Sequence, residues 1–274
     1  MGFLSFISAV FGWIYTLLWS LSFYPQPLLN FRRKSTTGTT VDFSLLNTLG
    51  FISYLCSNLA LYYAPGVRKQ YAARNPGLTP TVAFNDIVFA LHASILCILT
   101  VTQYLLPGLW SFSHNPASRP SRFALGILAG SVAGVVVTYI IVGASDNADP
   151  AVDWCDLDVV YALGYVKLLV TLVKFTPQLI ANARNKSTRG WSIWQILFDF
   201  VGGVLSVSQQ AIDSYLQHDW SGITGNPVKF SLGFVSMVYD VLFMLQHYVL
   251  YRHAGRDDDN ESRTLLRDEE RRVD

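Results

Sequence analysis

Apolar residues gather along this chain in seven stretches of about 20, approximately at 3–23, 43–63, 81–106, 123–144, 157–180, 193–212 and 230–251, with polar loops between them. An α-helix rises 1.5 Å per residue, so about 20 apolar residues cross a hydrocarbon layer roughly 30 Å thick. The pattern predicts seven transmembrane helices. Soluble helices of this length would need a polar face, which these runs lack. The first run has no basic leader and no small-residue cleavage site before Tyr24, and reads as a retained helix rather than a signal peptide.

The order of these runs contains a duplication. Tyr24-Pro25-Gln26 opens a segment continuing through Asn30, Lys34-Ser35-Thr36 and Gly38, and Thr176-Pro177-Gln178 opens one continuing through Asn182, Lys186-Ser187-Thr188 and Gly190, at an offset of 152 residues. The same offset pairs Asn47 with Asp199 and Gly50 with Gly202. In the third helices Asp86 to Leu91 aligns with Asp240 to Leu245 at an offset of 154, and His92 and His247 follow the two aspartates. The predicted fold is an all-α integral membrane protein of two parallel three-helix repeats joined by a linker helix, 3+1+3. Its segments are 1–106, the linker helix with its loops at 107–156, a second repeat at 157–251 and a tail at 252–274. Pro25 and Pro177 each remove a backbone donor and mark a kink, or a simple helix end, so Pro25-Gln26 and Pro177-Gln178 are candidate hinges.

Charge sets the orientation. Fourteen of the 20 Lys and Arg fall in the loops after helices 1, 3 and 5 and in the tail, whereas the opposite side holds the acidic loop of Asp146, Asp149, Asp153 and Asp156. The positive-inside rule then puts the C-terminus in the cytosol and the N-terminus outside or in a lumen. With 51% hydrophobic and 14% charged residues the chain departs from the roughly 25% charged residues of soluble domains. A net charge of +1 argues against nucleic-acid binding. Cys56, Cys97 and Cys155 stand singly, without metal-ligand spacing, and no nucleotide or hydrolase motif occurs, so neither an enzyme, a metal site nor a cofactor is expected.

Tyr24-Pro25-Gln26 with Asn30 to Ser35, Lys174 to Gln178, Lys186 to Ile193, Asp199-Phe200-Val201-Gly202-Gly203 and Asp240 to His247 together resemble the PQ-loop family, and within it the cystinosin-like cystine exporters. The resemblance covers nearly all seven helices. It implies a secondary transporter of lysosomal or vacuolar membranes carrying L-cystine to the cytosol with a proton as coupling ion. Two departures from the animal members, no long glycosylated region before helix 1 and no tyrosine-based C-terminal signal, imply a fungal or other non-animal member.

Asp199, about seven residues into helix 6, lies where a charge costs roughly 2.5–3.5 kcal/mol unless it has a partner or a cavity. It reads as a proton-coupling and substrate group, a role that the resemblance also implies, or as a carboxylate paired with Lys174 or Lys167. Asp240 and Asp86 are further candidates for the proton route, with a helix cap the other reading of Asp86. Asp42 reads as a cap or a loop-ordering group. Lys167 and Lys174 share a face of helix 5, and a zwitterionic solute calls for charges of both signs with amides between them. The resemblance implies substrate contacts at Lys229, Asn47 and Asn182; Gln195 replaces the asparagine usual at its position. Lys174 completes the candidate set. Beyond Tyr251 the composition turns polar, and Glu261 with Leu265 and Leu266 has the form of an acidic dileucine sorting signal for a cytosolic adaptor. The competing readings are an exporter of cationic amino acids and a pH-dependent cargo-sorting receptor.

Overall fold

The computed structural model describes residues 2–75, 80, 82, 84–113, 119–145, 149–217 and 227–252, apart from the side chains of 85, 210, 213, 214, 217 and 227–233. Among these residues the chain forms ten α-helices and no strand: α1 (Phe3–Leu21), α2 (Pro25–Arg33), α3 (Val41–Tyr63), α4 (Pro65–Arg74), α5 (Phe84–Leu105), α6 (Arg122–Ala144), α7 (Asp156–Val173), α8 (Thr176–Asn185), α9 (Ile193–Gln217) and α10 (Pro227–Leu245), the last continued by a π-helical turn, Gln246–Leu250. Five stretches are long and apolar enough to cross a bilayer: Phe3–Arg33, Val41–Tyr63, Asp86–Leu105, Arg122–Ala144 and Asp156–Asn185. Shorter apolar runs, Ile193–Gln209 and Phe234–Leu250, occupy α9 and α10. The protein is a multi-pass, all-α membrane protein.

The duplicated prolines divide the first helix of each repeat in two. α1 ends at Leu21 and Pro25 opens α2; α7 ends at Val173 and Pro177 sits in the first turn of α8, where its missing N–H is not needed. Each short helix then stops at a lysine in the left-handed conformation, Lys34 (φ 50°) and Lys186 (φ 45°). Packing follows the same two-fold plan. α1 lies along α9 and α3 along α7, so the first helix of each half packs on the second helix of the other. Within the halves α3 packs on α5 and α9 on α10. α6 is the outlier. It touches mainly α7 and turns Val136, Tyr139 and Ile140 outward, as a helix facing lipid does.

At the Pro-Gln end, Phe43, Phe175, Trp191, Ile196 and Phe243 form a buried aromatic core, with Trp191 stacked on Phe243 at 5.3 Å. Asp42 orders the approach to α6: its Oδ1 accepts from the Ser121 amide at 2.8 Å, and the Ser121 hydroxyl in turn caps α6 at Ala124. The opposite end carries an element that the hydropathy pattern does not announce. Helix α4 ends in Arg74, which donates to the carbonyls of Pro150 and Asp153 and to the carboxylate of Asp158, pinning the α6–α7 loop. Asp158 also accepts from the Cys155 amide and so caps α7.

Candidate substrate and proton site

The repeated spacing of Pro-Gln, Lys-Ser-Thr and Gly resolves into a reciprocal clasp. Gln26 of the first repeat donates to the Gly190 carbonyl (3.0 Å) and accepts from the Ser192 amide (2.8 Å) in the loop of the second. Gln178 of the second repeat donates to the Gly38 carbonyl (3.4 Å) and accepts from the Thr40 amide (2.9 Å) in the loop of the first. Both glutamines are buried. Gly38 and Gly190 share φ +92°, and each lies against the backbone of the other's loop, where a Cβ would collide with the carbonyl oxygens of Arg189 and Thr37 respectively. Only glycine meets both demands.

Each clasp is backed by an amide ladder. Gln26 donates to Asn30 (2.9 Å), Asn30 to Gln103 (3.0 Å) and Gln103 to the Pro27 carbonyl (3.1 Å). Gln178 donates to Asn182 (2.8 Å), Asn182 to Gln246 (3.0 Å) and Gln246 to the Leu179 carbonyl (3.0 Å). Two placements follow from this ladder. Asn182 is committed at both ends of its amide to this ladder and is not brought to the central cavity. The third helices also correspond through Gln103 and Gln246, an offset of 143, so the match of Asp86 with Asp240 at 154 lies three helical turns out of structural register. In that register Asp240 corresponds to Cys97, and Asp86 to position 229.

Between the halves, beneath the clasp, lies a small cavity of about 20 Å³ lined by Phe43, Ser44, Asn47, Cys97, Thr100 and Gln195, with Gln26 at its Pro-Gln end. That is room for about one water molecule. Asn47, on α3, donates to the Cys97 sulfur (3.3 Å) and accepts from the Lys174 ammonium (3.3 Å). Lys174 also lies 4.6 Å from the Phe175 ring centroid, and Lys167 sits 3.5 Å over Phe51. Neither lysine forms an ion pair with Asp199 among the described residues, so the structural-pairing reading of Asp199 is not what the geometry shows. Asp199 instead accepts from the Ser236 hydroxyl (3.1 Å), and its backbone carbonyl from the Trp19 indole (3.3 Å). Close approach of α1 to α9 there depends on Gly202, whose Cβ would stand 2.6 Å from the Trp19 ring.

Asp240 is wholly buried on α10, and both its carboxylate oxygens lack a hydrogen-bond partner, while its charge interacts with those of Asp199 and Lys174. Asp86 stands apart in the first turn of α5, at the far end of that helix from Gln103. His247 bonds Thr188 (2.8 Å) and His92 bonds Tyr24 (2.8 Å), both near the helix breaks. The side chain of Lys229, and Glu261, Leu265 and Leu266 of the tail, lie outside what the structure describes. Hydropathy reading passed over Gln103, Gln246 and Arg74. Each is a long polar side chain near the end of its helix, and that placement was the available signal.

A family model for the PQ loop repeat matches residues 7–67 and 159–219, the same 152-residue offset. Cystinosin of Drosophila melanogaster is 42% identical over 263 residues, covering 96% of this chain and 63% of that protein. A cystinosin homolog of Dictyostelium discoideum is 38% identical over 253 residues, covering 92% of this chain and 84% of the relative. The chain belongs to the cystinosin family. A protein of Saccharomyces cerevisiae named as a cystine transporter is 27% identical over 259 residues, covering 90% and 95% of the two chains. The chain spans about three fifths of the length of the family members from fly and nematodes. Of the candidate residues, Asn47 and Gln195 line the cavity, Lys174 donates to Asn47, and Asp199 and Asp240 lie on α9 and α10 of the second repeat.

Proposed function

We propose that this protein carries L-cystine from an acidic lysosomal or vacuolar lumen to the cytosol, together with a proton, by alternating access through seven helices. Support for the substrate comes from the names of its relatives and from the chemistry beside the cavity. Cystine carries two carboxylates, two ammonium groups and a disulfide; Lys174 and Lys167 offer cations, Asp199 and Asp240 anions, and Asn47 and Gln195 amides. Lys229 would add a carboxylate contact at the lumenal mouth, and Asp86 a path for the proton there.

The observation carrying the coupling is Asp240, fully buried with no donor to either oxygen, beside Asp199. An unpaired carboxylate inside a bilayer is expensive, and taking up a proton removes the charge that makes it so. Protonation of the Asp199–Asp240 pair on the acidic side would let the filled site pass through its dry intermediate. Release on the neutral side would restore the charge and favour return.

The cavity is too small for cystine, and the clasp bridges the two repeats at the Pro-Gln end, the end that the excess of Lys and Arg favours as cytosolic. Delivery then requires parting Gln26 from Gly190 and Ser192, and Gln178 from Gly38 and Thr40, with movement at Pro25 and Pro177. The test is uptake of labelled cystine by vesicles with the lumenal face outward. Flux is expected to rise with an inward proton gradient and to lose that dependence in Asp199→Asn. Flux indifferent to the gradient sinks the coupling, and competition by lysine or arginine rather than by cystine sinks the substrate.

A further inference from the structure

Each repeat ties the residue before its proline to its own third helix. In the first, the Tyr24 hydroxyl bonds His92 Nε2 on α5 (2.8 Å); in the second, the Thr176 hydroxyl bonds the Tyr239 hydroxyl on α10 (2.9 Å). The second tie reaches further. Tyr239 also donates to the Leu172 carbonyl (3.3 Å), in the last turn of α7, where helix carbonyls run out of helical donors. A phenol has one proton, so with that proton on Leu172 it is Thr176 that donates to Tyr239. Leu172 stands on one side of the break and Thr176 on the other. One side chain of α10 therefore staples α7 to α8 across the break at Pro177.

The staple stands between the groups proposed for the proton and for the substrate. Asp240, whose carboxylate oxygens lack a hydrogen-bond partner, is the next residue of α10, and Lys174, which donates to Asn47 (3.3 Å), lies within the stapled break. The charged groups that act on Asp240 are Asp199 of α9 and Lys174 itself, and Lys167 of α7 acts in turn on Asp199. Phe175, beside Lys174 in the break, is buried against Tyr239 (ring centroids 5.4 Å) and Phe243 (5.8 Å), both on α10. The break is thus seated on the helix that carries Asp240 by apolar packing and by two neutral hydrogen bonds, neither of which depends on a charge. Gain or loss of a proton at Asp240 changes its attraction for the Lys174 ammonium. With the backbone on both sides of Lys174 fixed to α10, that change acts on the Lys174 side chain.

We infer that Tyr239 and Thr176 are positioning residues for the transport proposed above: by stapling the break they make the setting of Lys174 follow the protonation of Asp240. The inference rests on that reading of Asp199 and Asp240. The bend at Pro177 that delivery requires then draws on α10 as well, since one phenol cannot keep both bonds while α7 and α8 part.

Uptake of labelled cystine by vesicles with the lumenal face outward, measured at pH 5 and at pH 7, tests this. Tyr239→Phe keeps the ring against Phe175 and removes only the hydroxyl. The ratio of uptake at pH 5 to uptake at pH 7 is expected to fall about fivefold from wild type, the worth of a hydrogen bond of ordinary net strength. Thr176→Val is expected to lower the same ratio and Thr176→Ser to keep it. The double variant should go no lower than Tyr239→Phe alone, because both changes remove one staple. Thr138→Val, which removes a hydroxyl from α6, is expected to leave the ratio unchanged. A ratio kept by Tyr239→Phe, uptake lowered equally at both pH values, or a fall of the same size in Thr138→Val overturns the inference while the transport reading stands. Wild-type uptake that ignores pH overturns the proposed coupling and takes the inference with it. Should Tyr239→Phe fold poorly, Thr176→Val decides on the same ratio.

Discussion

Cys97 occupies in the first half the place that Asp240 occupies in the second. Each lies six residues before the glutamine that receives its repeat's asparagine, Gln103 or Gln246. Their neighbours are paired likewise: Asn47 donates to Cys97, and Asp199, the residue matching Asn47, interacts with Asp240. One half thus holds an amide and a thiol at these positions, both lining the cavity, and the other holds two carboxyl groups.

The proposed proton coupling draws chiefly on the carboxyl pair of the second half. Asp199→Asn and Asp240→Asn are each expected to reduce acid-stimulated cystine uptake at least tenfold and to flatten its dependence on pH between 5 and 7. Cys97→Ser, which keeps a small group for Asn47 to address, is expected to hold flux within roughly threefold of wild type. Vesicle uptake at both pH values measures all three, and a pH dependence surviving in Asp240→Asn would place the proton elsewhere.

Gln26→Ala leaves the buried Ser192 amide without its acceptor, and Gln178→Ala does the same to Thr40. A buried donor left unmade costs about 1–3 kcal/mol. Both variants are expected to melt at lower temperature. The double variant should lose less than the sum of the single losses, by at least about 0.5 kcal/mol, because the two glutamines hold one interface. Strict additivity would mean that the two clasps act independently.

Replacing Gly38 or Gly190 by alanine demands a positive φ, costing about 1 kcal/mol or more, and places a methyl group against a backbone carbonyl that has nowhere to go. Neither variant is expected to close the clasp or transport. Gly126→Ala and Gly130→Ala on α6, where an added Cβ meets no atom within 4 Å, are expected to leave folding and flux unchanged. Detergent-solubilised yield and size-exclusion profile separate the two classes.

Arg74→Ala removes hydrogen bonds to two loop carbonyls and the partly buried ion pair with Asp158. A loss of about 1–3 kcal/mol is expected, with protease cleavage between Asp149 and Cys155 accelerated before global unfolding. Hydrogen bonding to Asp158 lifts the Arg74 guanidinium further above its ordinary range, so the cation persists throughout the acidic and neutral range. Arg74→Lys, which cannot fork, is expected to recover only part of the protection.

Much of this architecture was written in the spacing of residues. Apolar runs mark the helices, and the repeated Pro-Gln, Lys-Ser-Thr and Gly register marks the two halves, because both are local patterns that a one-dimensional reading detects. The third-helix register was misread because Asp-x-x-Phe strings in apolar helices recur by composition, whereas the structural register is kept by a single glutamine in each helix. Asn182 enters the candidate set through the resemblance alone, and an intramembrane amide gives no sign in sequence of whether its hydrogen bonds go to a ligand or to a neighbouring helix; here they go to Gln178 and Gln246. Helix α4 escaped notice because it is short and mostly polar, and Arg74 declares its role only when the α6–α7 loop folds over it.

The crossed grip of the two glutamines also bears on what a severed half of this molecule would be. Gln26 has nothing in its own repeat to hold in place of Gly190 and Ser192, and Gln178 nothing in place of Gly38 and Thr40. A three-helix fragment cut from either side would keep its fold signals yet leave one mouth unlatched, until another such fragment lent it the missing loop.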